Sequence, residues 1–275
     1  MPTEAELLAD VVDAPFDNAP RLAYADHLDA ESEGPSLRAE FIRLQIQLAT
    51  ERFDQPTAAT AGDVNAEVVR KMEWLTAQQR VQVLVDGNKA AWAAQLLQVA
   101  DDVHFVRGFV ASAIVGAAAF VKDGALLLRQ APIVYIELRG TLGALDPLIA
   151  CPALADVRAL SLSEEGLSDD ALGRFVVSPH LHQLWWLELG GNRIGMTGID
   201  RLAAANLARL RYVGLAGNPV DPHETVGADG YMIQDAALPP EGEALEAKHG
   251  FLPWLHYSSD SLLDFPPDPR GAPLP

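Results

Sequence analysis

The sequence has a single cysteine and no long apolar run. Cys151 alone excludes an internal disulfide and any cysteine-rich zinc or iron–sulfur site, and it suits a reducing compartment. The longest apolar stretch, residues 108–121, falls short of the about 20 residues that a membrane-spanning helix needs. The first six residues are acidic, whereas a secretory signal begins with basic ones. We therefore expect a cytoplasmic protein without a membrane partner.

Basic residues are also scarce, because 20 Lys and Arg face 38 Asp and Glu in 275 residues, for a net charge of −18. This balance argues against binding to DNA, RNA or anionic lipid, all of which must be neutralised by Lys and Arg. Residues 1–104 carry 18 acidic and 8 basic side chains, residues 105–220 carry 10 of each, and residues 221–275 carry 10 and 2. A neutral middle segment therefore lies between two acidic flanks.

The neutral segment contains a repeated spacing of apolar residues. Residues 184–194 follow the pattern LxxLxLxxNxI, with Asn192 at the polar position, and residues 210–220 match it throughout, with Asn218. This spacing is typical of leucine-rich repeats. Residues 157–167 match with Glu165 in place of Asn.

Two further copies are less complete. Residues 133–138 are followed by a degenerate turn that contains Thr141 and Gly143, and residues 110–115 form a weaker fifth copy. The equivalent apolar positions are Ala113, Ile136, Leu160, Leu187 and Val213. Their separations fall within the usual repeat length of about 20–29 residues.

The repeat predicts the fold. Alternate residues of each short strand enter the core, the Asn amide bonds backbone groups at the turn, and a helix returns the chain to the next strand. Helical spacing is found in residues 118–129, 169–177 and 198–207, and Ser168 is a suitable N-cap for the second of these. We predict an α/β fold: a short leucine-rich-repeat solenoid over residues 105–220, with parallel strands on the concave face and helices on the convex face.

The flanks are predicted to cap the solenoid. Residues 1–104 form a helical cap region, with expected helices over residues 6–12, 20–29, 37–49 and 66–98 and a linker over residues 53–65. Residues 221–257 form a C-terminal cap with a helix over residues 241–249 and a packing point at Trp254. Residues 258–275 are expected to be a disordered tail.

The N-terminal helices resemble a known family. The resemblance is carried by Asn18-Ala-Pro-Arg21-Leu22-Ala-Tyr24-Ala-Asp26-His27-Leu28 and by Arg38-Ala-Glu40-Phe41-Ile42-Arg43-Leu44-Gln45. Residues 4–50 are similar to the bacterial repeat-companion domain, a module that accompanies leucine-rich repeats, although His27 stands where the family usually has Trp. This resemblance implies no catalytic activity and no catalytic residues.

Two groups of residues are candidate metal ligands. His180 and His182 lie two apart before a predicted strand, and Asp221, His223, Glu224 and Asp229 cluster after the last repeat. Neither group has the ligand spacing of a known metal motif, and no nucleophile or phosphate-binding motif is found. We expect no catalytic residues, no metal and no cofactor.

The concave face offers a candidate binding surface. Stacked strands would place Tyr135, Ala159, Trp186 and Tyr212 in one solvent-facing row, with Glu137, Ser161, Glu188 and Gly214 in the next and Arg139 beyond them. The candidate partner-binding residues are Tyr135, Glu137, Arg139, Ser161, Ser163, Trp186, Glu188 and Tyr212. The alternative is that Trp186 and Tyr212 pack against the helical cap or the C-terminal tail. Trp185 should point away from this face and pack into the solenoid or its edge.

The sequence therefore predicts a non-catalytic module that binds a protein or peptide, and the acidic flanks favour a basic partner. Replacing Trp186 and Tyr212 by Ala is then expected to remove binding and leave folding intact. One alternative is an accessory or substrate-recognition subunit of a peptide- or protein-modifying enzyme. A second is a metal-dependent hydrolase built on His180 and His182 or on residues 221–229.

Overall fold

The computed structural model describes residues 2–50, 63–220, 240–252 and 254–256. In these residues a seven-stranded sheet follows the order of the chain, from β1 at one edge to β7 at the other. Helices and strands alternate through its middle. The α/β class predicted from the sequence is confirmed.

The N-terminal segment is helical. Its helices are α1 (Glu4–Asp13), α2 (Ala19–Glu31), α3 (Leu37–Thr50) and α4 (Val64–Trp92). The helices predicted over residues 6–12, 20–29 and 37–49 are confirmed, and Thr3 begins the first with a capping box to Glu6.

The fourth predicted helix has different bounds. The Asp63 side chain accepts hydrogen bonds from the amides of Asn65 and Ala66, so the last residues of the expected linker already belong to α4. The helix ends at Trp92, and a short 3₁₀ turn follows at Leu96–Gln98. The other residues of the linker, 53–62, lie outside the described part of the chain.

The sheet begins with a hairpin that the repeat pattern did not predict. β1 (Asp102–Val106) pairs antiparallel with β2 (Phe109–Gly116) through a turn at Arg107 and Gly108. Both turn residues have positive φ angles, and a Cβ at position 108 would overlap the backbone of Ile42 in α3, so the turn requires glycine there. β1 rather than the expected helices lies at this edge of the sheet.

The remaining strands are parallel. They are β3 (Tyr135–Arg139), β4 (Ala159–Ser161), β5 (Trp186–Glu188), β6 (Tyr212–Gly214) and β7 (Leu255–His256). The ladder aligns the predicted equivalent positions directly: Ala113, Ile136, Leu160, Leu187 and Val213. The register read from the repeat is therefore confirmed.

Helices return the chain between the strands. They are α5 (Ala117–Gln130), α6 (Leu145–Ile149), α7 (Asp169–Phe175), α8 (Met196–Ala204) and α9 (Pro240–His249). Ser168 caps α7 by accepting a hydrogen bond from the Ala171 amide, as predicted. The main core lies between these helices and one face of the sheet, where Phe120, Leu187 and Leu202 are buried.

Buried amides close the turns after the strands. The Asn192 amide nitrogen donates to the carbonyls of Leu162 and Leu189, and its oxygen accepts from the Leu167 amide at 2.9 Å. Asn218 repeats this arrangement one strand further on. Glu165, which replaces Asn in its repeat, accepts from the amide of Gly140 at 3.1 Å and from that of Thr141.

The C-terminal elements extend the sheet and its helix layer. α9 lies against α8, where Lys248 and His249 both bond to Asp200, and Leu245 enters the core. The predicted helix over residues 241–249 and the packing role of Trp254 are confirmed. Residues 221–239 and the predicted disordered tail over residues 258–275 lie outside the described part of the chain.

Candidate functional site on the sheet

One face of the sheet lies opposite α5–α8, and we call it the helix-free face. Its first row aligns Tyr135, Ala159, Trp186 and Tyr212 across neighbouring strands, and its second row aligns Glu137, Ser161, Glu188 and Gly214. Both rows were predicted from the repeat spacing. The structure therefore brings the candidate residues together on one surface.

The aromatic part of this surface is not exposed, so the sequence prediction of a solvent-facing aromatic row is wrong. Trp186 is 6% exposed and Tyr212 is 9% exposed. Their rings stack with centroids 3.7 Å apart and planes inclined by 15°. Ser161 is buried as well, and Tyr135 is half-buried.

The α1–α2 loop contacts the cluster to which both rings belong. Phe16 in that loop packs against the aromatic cluster, which comprises Trp185, Trp186 and Tyr212 together with smaller residues. The loop is held by two arginines: Arg21 donates to the Pro15 carbonyl at 2.7 Å, and Arg107 donates to the Phe16 carbonyl at 2.8 Å. Packing of Trp186 and Tyr212 on the helical cap, the alternative left open by the sequence, is what the structure supports.

Trp185 lies at the edge of the same cluster. It is buried, but it does not point away from this face as predicted, since it belongs to the same cluster as Trp186 and meets the Trp186 ring edge-on at 5.9 Å. It also lines a cavity of about 550 Å³ between the α1–α2 loop and the segments that precede the strands. The cavity wall includes Arg158, Arg209 and Arg211.

Glu188 is the most unusual group on the helix-free face. Its carboxylate is half-buried and accepts a hydrogen bond from the Gly190 amide at 3.1 Å. Burial raises the pKa of this carboxyl above its ordinary value, and the backbone hydrogen bonds only partly oppose the shift. Within residues 2–50, 63–220 and the short C-terminal stretches described, no Lys, Arg or His forms a salt bridge with it.

The position of the Glu188 side chain depends on Gly214. A Cβ added at Gly214 would overlap both carboxylate oxygens of Glu188. Gly214 has no positive φ angle, so it is the small size of Gly214, and not its backbone conformation, that leaves room for the carboxylate in this position. The carboxylate therefore occupies the space that any larger residue on β6 would fill.

The other polar residues of the face bond to one another. The Arg139 Nε donates to the Glu137 carboxylate at 3.1 Å, and Arg139 is exposed. Ser161 and Ser163 are joined through their hydroxyls at 3.1 Å. Burial raises the pKa of Tyr135 to about 12, so this phenol is neutral at physiological pH.

The residues considered for metal binding are not assembled into a site. His180 is half-buried and His182 is exposed. Among the described residues no three or more His, Cys, Asp or Glu side chains form a group that could hold a metal ion. Asp221, His223, Glu224 and Asp229 lie outside the described residues. Cys151 is buried, with its sulfur 3.9 Å from the Val121 carbonyl.

Comparisons with known proteins assign no family. A scan against protein-family models and a search of the curated proteins each return no match to this chain. Among the described helices, none combines the length and the apolar content that crossing a bilayer requires. The resemblance to the repeat-companion domain stays a prediction, and a functional conclusion rests on the geometry of the sheet.

Proposed function

We propose that residues 105–220 form a leucine-rich-repeat solenoid behind a helical N-terminal cap of the repeat-companion type. Three features support this fold: one strand and one return segment per repeat, the in-register parallel ladder, and the buried turn residues Asn192 and Asn218. The helix-free face is then the concave face of the solenoid, which is open to partners in this architecture.

The function that we propose is non-catalytic binding of a basic protein or peptide segment on this face. The main support for this function is the environment of the Glu188 carboxylate. It is half-buried, lies across Gly214 and has no cationic partner among the described residues. A partly desolvated carboxylate gains more from a cation than an exposed one does, because screening by water is weaker. A Lys or Arg of the partner would supply that cation.

The surroundings of Glu188 fit an extended partner. Gly190 and Ala216 carry little or no side chain, so a partner backbone can approach the strands closely at these two positions. Glu137 adds a second negative charge in the same row, although Arg139 already pairs with it. The acidic flanks would attract a basic segment from a distance and make its association sensitive to salt.

The aromatic residues take a supporting role in this proposal. Trp186 and Tyr212 are buried in a cluster that Phe16 of the α1–α2 loop packs against, and they lie on the strands that carry Glu188 and Gly214. The partner-contacting set is therefore narrowed to Glu137, Arg139, Ser163 and Glu188. Tyr135 and Ser161 are left out of this set, because Tyr135 packs against the aromatic cluster and Ser161 is buried.

Selection from a random peptide library tests the proposal without a known partner. The wild-type chain should enrich peptides that contain Lys or Arg at a fixed position, and binding should weaken as salt rises. Glu188→Gln retains the shape of the side chain and removes its charge, so it should lose this enrichment. Equal enrichment by the variant, or no enrichment by the wild type, contradicts the proposal.

A further inference from the structure

Arg38, near the start of α3, occupies an aromatic cage. Its guanidinium carbon lies 4.7 Å from the ring centre of Trp92, 5.1 Å from that of Phe105, 5.4 Å from that of Phe109 and 5.6 Å from that of Phe41. Cation–π attraction of this kind holds a guanidinium in place. It leaves the hydrogen-bonding capacity of the group unused.

No anion accompanies this cation within the described part of the chain. Arg38 forms no salt bridge there, and its Nη1 is buried without a hydrogen-bond partner. Burial lowers the pKa of Arg38 to about 10, so the group still carries its charge at neutral pH. Unsatisfied buried donors are rare in folded proteins and call for an explanation.

Neighbouring arginines of the helical cap have oxygen partners, although the Nε of Arg21 is also buried without one. Arg21 donates to backbone carbonyls, among them that of Pro15. Arg43 pairs with Asp26 and Asp29, and Arg80 pairs with Glu40. Arg38 alone among these four has neither a carbonyl nor a carboxylate.

Arg38 lines a cavity of about 410 Å³ between the helical cap and the first parallel strand. Much of the wall is apolar, with Leu8, Leu28, Leu96 and Phe109 contributing to it. This volume lies within the range of roughly 300–1,000 Å³ that is usual for small-molecule sites.

Two polar groups at the cavity are already bonded to each other. The Tyr24 hydroxyl donates to the Glu4 carboxylate at 2.6 Å, and Glu4 is exposed to solvent. The charge of Glu4 is therefore screened by water. Arg38 is the one cation among the residues that the structure describes in the wall.

We propose that this cavity binds a small organic anion, a monocarboxylate with an apolar body. The carboxylate would pair with the Arg38 guanidinium, and the apolar body would pack against Leu8, Leu28 and Leu96. A single cation favours a single negative charge over a phosphate dianion, and the apolar wall favours a hydrocarbon body. This site is separate from the helix-free face and does not depend on the proposed peptide binding.

Calorimetric titration of the full chain with octanoate tests the proposal, with 1-octanol as the matched uncharged probe. Octanoate should bind saturably, and octanol should bind at least about tenfold more weakly because it cannot pair with Arg38. Arg38→Met should lower the affinity for octanoate at least about tenfold and leave the affinity for octanol unchanged. Arg211→Met removes an exposed arginine from the cavity beside Trp185. It should change neither the affinity for octanoate nor the affinity for octanol.

A second variant covers the case in which Arg38→Met does not fold. Ala94 lies exposed in the cavity wall, so Ala94→Phe should fill the entrance while Arg38 stays in place. Octanoate affinity should again fall at least about tenfold. The proposal is overturned if octanoate shows no saturable binding up to about 10 mM, if octanol binds as well as octanoate, or if a folded variant binds like the wild type.

Discussion

The indole of Trp186 lies flat on the phenol ring of Tyr212, with ring centroids 3.7 Å apart. These residues lie directly opposite each other on β5 and β6. Phe16 of the α1–α2 loop packs against the cluster that contains both rings. The stack is therefore part of the interior, and it joins the helical cap to the sheet.

Trp186→Ala should destabilise the protein, contrary to the expectation from sequence that folding would stay intact. Removing a buried aromatic ring costs about 3–5 kcal/mol, since the favourable transfer free energy of the ring is lost and a cavity is left behind. Urea unfolding followed by circular dichroism measures this change. Val177→Ala, at a residue 70% exposed, is the control and should cost less than about 0.5 kcal/mol.

Asn192→Ala should also destabilise the fold. It removes the donor that serves the Leu162 and Leu189 carbonyls and the acceptor that serves the Leu167 amide. Each buried group left unsatisfied costs about 1–3 kcal/mol. In contrast, Asn88→Ala loses a single bond within α4 to the Leu84 carbonyl and should cost no more than about 1 kcal/mol. Equal midpoints for the two variants in thermal unfolding would contradict this role of Asn192.

Gly214→Ala should weaken peptide binding and leave the stability of the fold nearly unchanged. The new methyl group would displace only the end of the Glu188 side chain, so the free energy of unfolding should change by less than about 1 kcal/mol. Affinity for a library-selected basic peptide should fall at least about tenfold, because the carboxylate moves. Gly143→Ala meets no atom within 4 Å and should leave both quantities unchanged. Retained affinity in Gly214→Ala would show that the carboxylate position does not matter.

Glu188→Gln should change the pH dependence of stability. Because the folded pKa of Glu188 is raised, the native state binds more protons than the unfolded state between the ordinary pKa and the raised one. The contribution of Glu188 to the free energy of unfolding therefore falls as the pH rises from the ordinary pKa to the raised one. The variant lacks this penalty, so its stability relative to the wild type should be greater at about pH 7 than at about pH 4.

Glu40→Gln is the control for that measurement, and its stability should change with pH in the opposite direction. The hydrogen bond from Arg80 lowers the pKa of Glu40, so this carboxylate contributes stability above its ordinary pKa and loses it on acidification. The stability of Glu40→Gln relative to the wild type should therefore be lower at about pH 7 than at about pH 4. A lower stability at about pH 7 than at about pH 4, relative to the wild type, in Glu188→Gln as well would contradict the assignment for Glu188.

The parts of the structure that sequence could predict are periodic. The alternation around Leu160, Leu187 and Val213 determines which side chains enter the core, and its recurrence determines the strand register. Helix positions followed from apolar spacing and from caps such as Ser168. Each of these depends on residues that are close together in the chain.

The parts that sequence could not predict depend on contacts between distant segments. Nothing in the strand pattern indicates that Phe16 would pack against the cluster that contains Trp186 and Tyr212. The aromatic cage of Arg38 likewise combines α3, the end of α4 and the first hairpin. An apolar Phe in a short polar loop was the available signal for the first contact, and it specifies no partner.

The affinity of one defined peptide tests most directly whether the Glu188 carboxylate binds a Lys or Arg of a partner. A Lys- or Arg-containing peptide selected by the wild-type chain should bind Glu188→Gln with a Kd at least about tenfold higher. Folding of the variant should be retained, as judged by its unfolding midpoint. An unchanged Kd in a folded Glu188→Gln variant would contradict the proposed binding of a basic partner by Glu188.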